Sequence, residues 1–179
     1  MNSHHGPTRR AVFGAVGIGV GASLLRPARA IAQSVAAGAP EIWSAHYTAK
    51  KGEVSLATYR KRAGEPKPGE TPLPVLLLVH GSSISAQSSF DLTVPGHDDY
   101  SVMNAFAKLG YDVWALDHEN YGRSSRTDGK SDIASGVEDL KAVVEVIVKE
   151  TGRQKVHMFG ESSGGLRAGS VRSFTPARA

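Results

Sequence analysis

The chain has 179 residues, 40% of them hydrophobic, and a formal net charge of +4. This length suits about one domain with a sizeable core, and the composition is that of an ordinary globular protein, which excludes disorder of the whole chain. There is no cysteine, so disulfides, thiolate metal sites and a cysteine nucleophile are excluded.

The first 30 residues predict an export signal. A pair of arginines at residues 9–10 precedes an apolar, glycine-rich stretch, and residues 26–30 end it with small side chains, a pattern that resembles a twin-arginine signal. The stretch is short for a membrane span, so we expect cleavage after Ala30 or Ala32, a linker over 31–40 and no stable membrane anchor. An uncleaved anchor or a disordered basic arm is the alternative. Export predicts a periplasmic or secreted bacterial protein.

The positive charge lies in this signal. Four of the 21 basic residues fall within residues 1–30, which hold no acid, and the remainder carries 17 basic and 17 acidic residues. A balanced domain gives no reason to expect a nucleic-acid partner.

The first predicted elements are two strands. Residues 42–48 and 53–60 are rich in β-branched and aromatic side chains and flank Lys50-Lys51-Gly52, which predicts a hairpin. Glycine and proline are dense over residues 61–74, where we expect an irregular surface loop.

The next segments predict an α/β fold. Val75 to Val79 is continuously apolar, as expected of a strand buried on both faces in a parallel sheet. Residues 112–117 and 155–159 predict two more strands, each preceded by a helix. This alternation indicates a mostly parallel sheet with an antiparallel hairpin on its N-terminal side.

Of the two predicted helices, the first covers roughly Tyr100 to Leu109. The second has the clearer pattern, because its apolar residues recur at helical spacing along one stripe. These residues are Ile133, Val137, Leu140, Val144 and Ile147. Glu138 and Asp139 are placed mainly off the stripe. Ser135 with Glu138 matches a capping box, Ser131 or Asp132 gives an earlier start, and Gly152 closes the helix.

Three motifs follow the ends of the predicted parallel strands. Gly160-Glu161-Ser162-Ser163-Gly164 is a G-x-S-x-G pattern after a strand, which makes Ser162 a candidate nucleophile on a sharp strand-to-helix turn. His80-Gly81-Ser82-Ser83 follows the buried strand 75–79. The run 117–124 follows the next predicted strand, 112–117. The serine-rich loop over residues 82–89 comes after strand 75–79, so we expect residues 84–94 to lie near the mouth of the site.

Together these motifs resemble the α/β-hydrolase superfamily in its esterase-like branch, over about residues 41–168. The resemblance implies that Ser162 attacks a carbonyl and that the backbone N–H groups of Ser163 and Ser82 stabilise the oxyanion, with Ser83 as an alternative donor. In the run 117–124, Asn120 replaces a glycine of the family pattern, which is a mild departure because asparagine tolerates the left-handed conformation better than most residues. We assign this run a structural role.

The resemblance also implies chemistry and partners. We expect a serine hydrolase that acts on small-molecule carboxylic esters through an acyl-enzyme; peptidase, lipase or acyltransferase chemistry could use the same turn. No metal or organic cofactor is implied, and the oligomeric state stays open. The alternative function is a noncatalytic remnant or binding module of the same fold.

The family order of the triad is Ser, then Asp or Glu, then His. Residues 163–179 contain no Asp, Glu or His, and all seven histidines precede Ser162. We therefore expect residues 41–179 to form a partial domain that lacks the later strands. A frameshift or premature stop near Gly169 is one hypothesis, and a natural short C-terminus is the other.

The missing base leads to a prediction about activity. A serine hydroxyl without a general base stays protonated and weakly nucleophilic. We expect the 179-residue chain to hydrolyse a p-nitrophenyl ester no faster than its Ser162→Ala variant, measured by release of p-nitrophenolate. A rate well above that control would contradict the expectation.

Overall fold

The computed structural model describes residues 40–97 and 100–171. The strands in these residues are β1 (Ile42–Lys51), β2 (Val54–Ala63), β3 (Val75–Val79), β4 (Asp112–Leu116) and β5 (Val156–Gly160). The helices are α1 (Ala86–Phe90), α2 (Val102–Lys108), α3 (Ile133–Thr151) and α4 (Ser163–Ser170). The predicted export signal lies outside the described residues, as does the predicted linker up to residue 39.

The five strands form one mixed sheet in the order β1-β2-β4-β3-β5. β1 and β2 form the predicted antiparallel hairpin, and β2 also pairs antiparallel with β4. β3 pairs in parallel with β4 on one side and β5 on the other. The predicted α/β class with an N-terminal hairpin is confirmed, and the loops after β3, β4 and β5 meet at one edge of the sheet, because the carboxyl ends of parallel strands lie together.

The sheet has helices on both faces. Every residue of β3 and β4 is buried, as a continuously apolar central strand requires. Val75, Leu77 and Val79 pack into the core on the α3 face, whereas Leu76 and Leu78 pack into the core formed with α1 and α2. No helix in the described part of the chain is long and apolar enough to span a bilayer.

Helix α3 begins earlier than its capping-box pattern predicts. The Asp132 side chain accepts a hydrogen bond from the backbone N–H of Ser135 at 2.8 Å, so Asp132 is the N-cap and Ser135 lies inside the first turn. Gly152 adopts φ 69° and ends the helix as predicted. Leu140, Val144 and Ile147 of the predicted stripe are buried.

Two other segments differ from the sequence expectation. Residues 61–63 continue β2, because they pair with residues 42–44 of β1. The serine-rich loop contains helix α1, whose first turn is stabilised when Ser88 Oγ accepts a hydrogen bond from the backbone N–H of Ser85. Ala86 and Phe90 are buried, and their burial stabilises this helix. The many serines of the segment gave no sign of this apolar contact.

Asp139 lies in the protein interior and not on the exposed face of α3, where the sequence places it. It is 1% exposed; its Oδ2 accepts hydrogen bonds from His118 Nδ1 at 3.0 Å and Glu119 N at 3.1 Å, and its Oδ1 lies 2.5 Å from Lys51 Nζ. Burial raises the pKa of Asp139, but these donors outweigh burial, and the net pKa lies below its usual range. A carboxylate so held joins α3 to β1 and to the loop after β4.

His80 and His118 join the loops after β3 and β4. His80 Nε2 accepts a hydrogen bond from the backbone N–H of His118 at 3.1 Å, so His80 Nδ1–H donates to the Gly81 carbonyl at 2.6 Å. Both side chains are fully buried. Burial is the main cause that lowers the pKa of His80 to about 4, and the neighbouring His118 lowers it further. The hydrogen bond to the Gly81 carbonyl acts in the opposite direction and raises this pKa. Burial also lowers the pKa of His118.

The His80 environment predicts a pH-dependent stability. Above pH 6.5 both folded and unfolded chains keep His80 neutral; between about 6.5 and 4 only the unfolded chain takes up the proton, so stability falls as pH falls. The loss through His80 alone should reach about 3 kcal/mol at pH 4. His80→Gln should flatten the slope of unfolding free energy against pH in urea titrations.

The matched control is His46→Gln, which removes an exposed histidine and leaves the buried cluster intact. The slope of His80→Gln should be flatter than the slope of this control. Equal slopes for the wild type and His80→Gln would contradict the assignment of this pH dependence to His80.

Candidate active site

Ser162 stands at the turn between β5 and α4. Its backbone has φ 52° and ψ −124°, and it is one of three non-glycine residues with positive φ in the described part of the chain, the others being Ser83 and Asn120. The residue is exposed. A serine in a sparsely populated backbone conformation is held there by its surroundings, and such strain is concentrated at functional sites.

Glycines make this turn possible. A Cβ at Gly160 would lie 2.5 Å from the carbonyl carbon of Gly164, and a Cβ at Gly164 would lie 2.2 Å from the Val79 carbonyl oxygen. Neither position can hold a side chain, in agreement with the G-x-S-x-G reading. Gly81 makes a third close contact, because a Cβ there would lie 3.0 Å from Ser162 Cβ. The sequence did not indicate this contact.

The two residues expected to donate to an oxyanion lie beside each other. Ser82 Oγ is 2.9 Å from Ser163 Oγ, although 81 positions separate them in sequence. Ser163 is the first residue of α4, so its backbone N–H has no acceptor within the helix. Ser83, the alternative oxyanion donor, is the next residue after Ser82 and has a positive φ of 70°.

Asp117 organises the loop after β4, in the structural role predicted for this run. Its carboxylate accepts hydrogen bonds from Ala86 N at 2.8 Å, Tyr59 OH at 2.7 Å and Arg123 N at 2.9 Å. Asn120 has φ 68°, so the predicted tolerance of asparagine for a left-handed conformation is confirmed. Tyr59 was not identified from the sequence as a partner of Asp117, because a tyrosine in a predicted strand is common and carries no sign of a particular contact.

Arg167 is a second residue that the sequence did not reveal. It lies on α4, is 1% exposed, and donates from Nη2 to the Ser131 carbonyl at 2.9 Å. A Cβ at Gly136 would lie 2.5 Å from its Cδ and Nε, so this glycine makes room for the guanidinium between α3 and α4. The sequence signal that could have pointed to this contact is Gly136 itself, because a glycine inside a helix usually has a packing reason.

None of the described side chains hydrogen-bonds to Ser162 Oγ. His80 and His118 are buried and bonded to other groups, and the rings of His46 and His97 pack edge-on against Tyr59 and Tyr100. In residues 40–97 and 100–171, no group of three or more His, Asp and Glu side chains has the arrangement of a metal site. Two cavities, of about 120 and 360 Å³, are lined by residues other than Ser162.

Comparison with known proteins places these features in a family. A family model described as alpha/beta hydrolase fold matches residues 74–169, more than half of the chain. No curated protein sequence matches. Among solved structures, a predicted CIB-like hydrolase from Thermoplasma acidophilum is 17% identical with a TM-score of 0.52, over 73% of this chain and 56% of that one.

Two other solved structures are similar to a comparable degree. An esterase from Pyrococcus furiosus is 22% identical with a TM-score of 0.52, over 72% of this chain and 44% of that one. The 2-hydroxy-6-oxo-6-phenylhexa-2,4-dienoate hydrolase from Rhodococcus sp. strain RHA1 is 19% identical with a TM-score of 0.51, over 73% and 42%.

The chain spans about half the length of these three hydrolases. At such identities the likeness establishes the fold and leaves the substrate open. The matched residues run from the start of β3 through nearly all of α4 and include the strand-to-helix turn at Ser162. The chain belongs to the alpha/beta hydrolase fold family.

Proposed function

We propose that Ser162 is the nucleophile of a serine hydrolase that acts on carboxylic esters and forms an acyl-enzyme. The observation that carries the proposal is the strained, exposed Ser162 on a turn that three close glycine contacts hold in place. In the reaction, Ser162 Oγ would attack the ester carbonyl and the alcohol would leave, before water releases the acid.

The residues around the turn support stabilisation of the tetrahedral intermediate. The backbone N–H groups proposed to receive the oxyanion belong to Ser82 and Ser163, whose side chains are 2.9 Å apart. Donors held in the turn after β3 and at the start of α4 need little reorganisation when charge develops. The loss of one such donor from an oxyanion hole costs about 10²- to 10³-fold in rate.

Ester chemistry is favoured among the reactions that this turn could serve. The residue at the turn is serine, and one of the matched structures is an esterase. The proposed substrate is therefore a small-molecule ester. The acyl and alcohol groups are not part of the proposal, because the two cavities described above are lined by residues other than Ser162.

None of the described side chains hydrogen-bonds to Ser162 Oγ, so the described residues supply no proton acceptor at this site. This observation on the described residues favours the second candidate, a noncatalytic remnant or binding module with the same fold. The two candidates differ in whether the turn still presents a reactive serine once a base is supplied.

An external base separates the two candidates. We expect a fluorophosphonate probe, with imidazole added as the base, to label Ser162 of the 179-residue chain at least about tenfold faster than Ser82 or Ser163, because binding and oxyanion donors retain about 10³-fold catalysis without a triad. Peptide mass spectrometry would measure each site.

Two variants serve as controls. Ser162→Ala should lose the label, whereas Ser163→Ala should keep it, because the backbone N–H remains. Slow labelling of all three serines at similar rates, unaffected by imidazole, would overturn the nucleophile proposal in favour of the noncatalytic candidate.

A further inference from the structure

The smaller of the two cavities, of about 120 Å³, lies at the amino ends of the parallel strands. Its walls come from β2, β4, the end of α3 and the loop that precedes β3. Asp112, one of the lining residues, begins β4, whereas Ser162 follows the end of β5, so the cavity and the candidate active site are at opposite edges of the sheet. A cavity of this size holds several water molecules or one small molecular anion.

Two buried arginines of β2 line this cavity, and they are paired in different ways. Arg60 donates from Nε and Nη2 to the two carboxylate oxygens of Asp112 at 2.9 and 2.6 Å. Its guanidinium also lies over the rings of Trp43 and Trp114. Two parallel hydrogen bonds are the strong and geometrically specific form of an arginine–carboxylate pair. Arg60 is therefore a fixed part of the core.

Arg62 leaves the corresponding edge of its guanidinium unpaired. Its side chain is 7% exposed, and its only side-chain hydrogen bond among the described residues runs from Nη1 to Glu70 Oε1. Nε of Arg62 is buried and has no acceptor among those residues. A buried N–H without an acceptor is unfavourable, because it has lost its hydrogen bonds to water. The Nε–Nη2 edge thus lacks the kind of partner that the same edge of Arg60 has.

The partner that Arg62 does have is replaceable. The Glu70 side chain is 29% exposed and lies on the loop before β3. That loop is anchored separately, because Arg153 donates to the carbonyls of Pro72 and Leu73 at 2.6 and 3.0 Å. The Glu70 side chain can therefore turn toward solvent without releasing the loop. Ion pairs in contact with solvent contribute little to stability, so a ligand that pairs with Arg62 more completely competes with Glu70.

We propose that Arg62 binds a small oxyanion, a carboxylate or a phosphate, which displaces the Glu70 carboxylate and accepts hydrogen bonds from Nε and Nη2. Arginine suits these anions because its planar fork of N–H groups fits two oxygens at once. Nε is covered in the present arrangement, so the anion reaches it as Glu70 moves away. The proposal is independent of the proposed function, because the cavity lies at the edge of the sheet opposite Ser162.

The other charges of the lining are compatible with an anion. Asp112 is neutralised by Arg60, and Glu150 is exposed, so salt screens its repulsion. Lys67 is an exposed cation on the same loop as Glu70 and also lines the cavity. Once Glu70 has turned away, three cationic lining residues face two carboxylates, and the cavity has a net positive charge.

Removal of the competing carboxylate tests the proposal. We expect inorganic phosphate or acetate to raise the thermal unfolding midpoint of the 179-residue chain, at an ionic strength held constant with sodium chloride, because a ligand of the folded state stabilises it. Glu70→Gln should lower the dissociation constant obtained from this rise by about fivefold. Arg62→Lys keeps the charge but loses the fork, and should raise that constant by about fivefold. A response to only one of the two anions would support the proposal and identify the class of ligand.

Glu138→Gln is the matched control, because Glu138 forms an exposed ion pair with Lys141 on α3. It should leave the dissociation constant unchanged, and circular dichroism would check that each variant is folded. If neither phosphate nor acetate stabilised the wild type or Glu70→Gln beyond the chloride reference, the proposal would be overturned. Equal stabilisation of every variant would also overturn it, since the anion would then bind without the fork of Arg62.

Discussion

The carbonyl oxygen of Val79 occupies the space that any side chain at position 164 would need, since a Cβ there would lie 2.2 Å away. This close approach lets α4 begin directly against the end of β3. It also fixes where the chain must turn after β5, which is why Ser162 has a positive φ. The geometry of the candidate site depends on this one backbone contact.

The same edge of the sheet carries all three left-handed non-glycine residues of the described chain. Ser83, Asn120 and Ser162 each follow one of the parallel strands. A strand that must leave the sheet abruptly turns most sharply through a left-handed residue, and each turn is held by its neighbours. Asp117 accepts hydrogen bonds from Tyr59 and Ala86, which join the loop after β4 to β2 and α1, and a third from Arg123 within the loop.

Buried and partly buried polar and charged side chains also stabilise this edge. Lys51, His118 and Asp139 link the β1–β2 hairpin to α3, and Arg167 links α4 to the loop before α3. Breaking a buried pair by removing one partner destabilises a protein strongly, because the other charge stays in the interior unpaired. The strand-to-helix turn is thus held by several described side chains, whereas none of the described side chains hydrogen-bonds to Ser162 Oγ.

The sequence by itself determined the strands, the two longer helices, the α/β class and the turn at Ser162, because each of these has a local signature: a continuous apolar run, a helical stripe or a pair of glycines around a serine. Asn120 belongs with them, since its intrinsic conformational tolerance predicted its backbone. The tertiary structure alone decided the partners of Asp139, the burial of Arg167, the contact of Gly81 with Ser162 and the formation of α1. These depend on which distant segments meet, and one-dimensional periodicity does not contain that information. The sequence alone places a charged helix residue in solvent, and only the approach of a lysine and a histidine from other elements shows that Asp139 is buried.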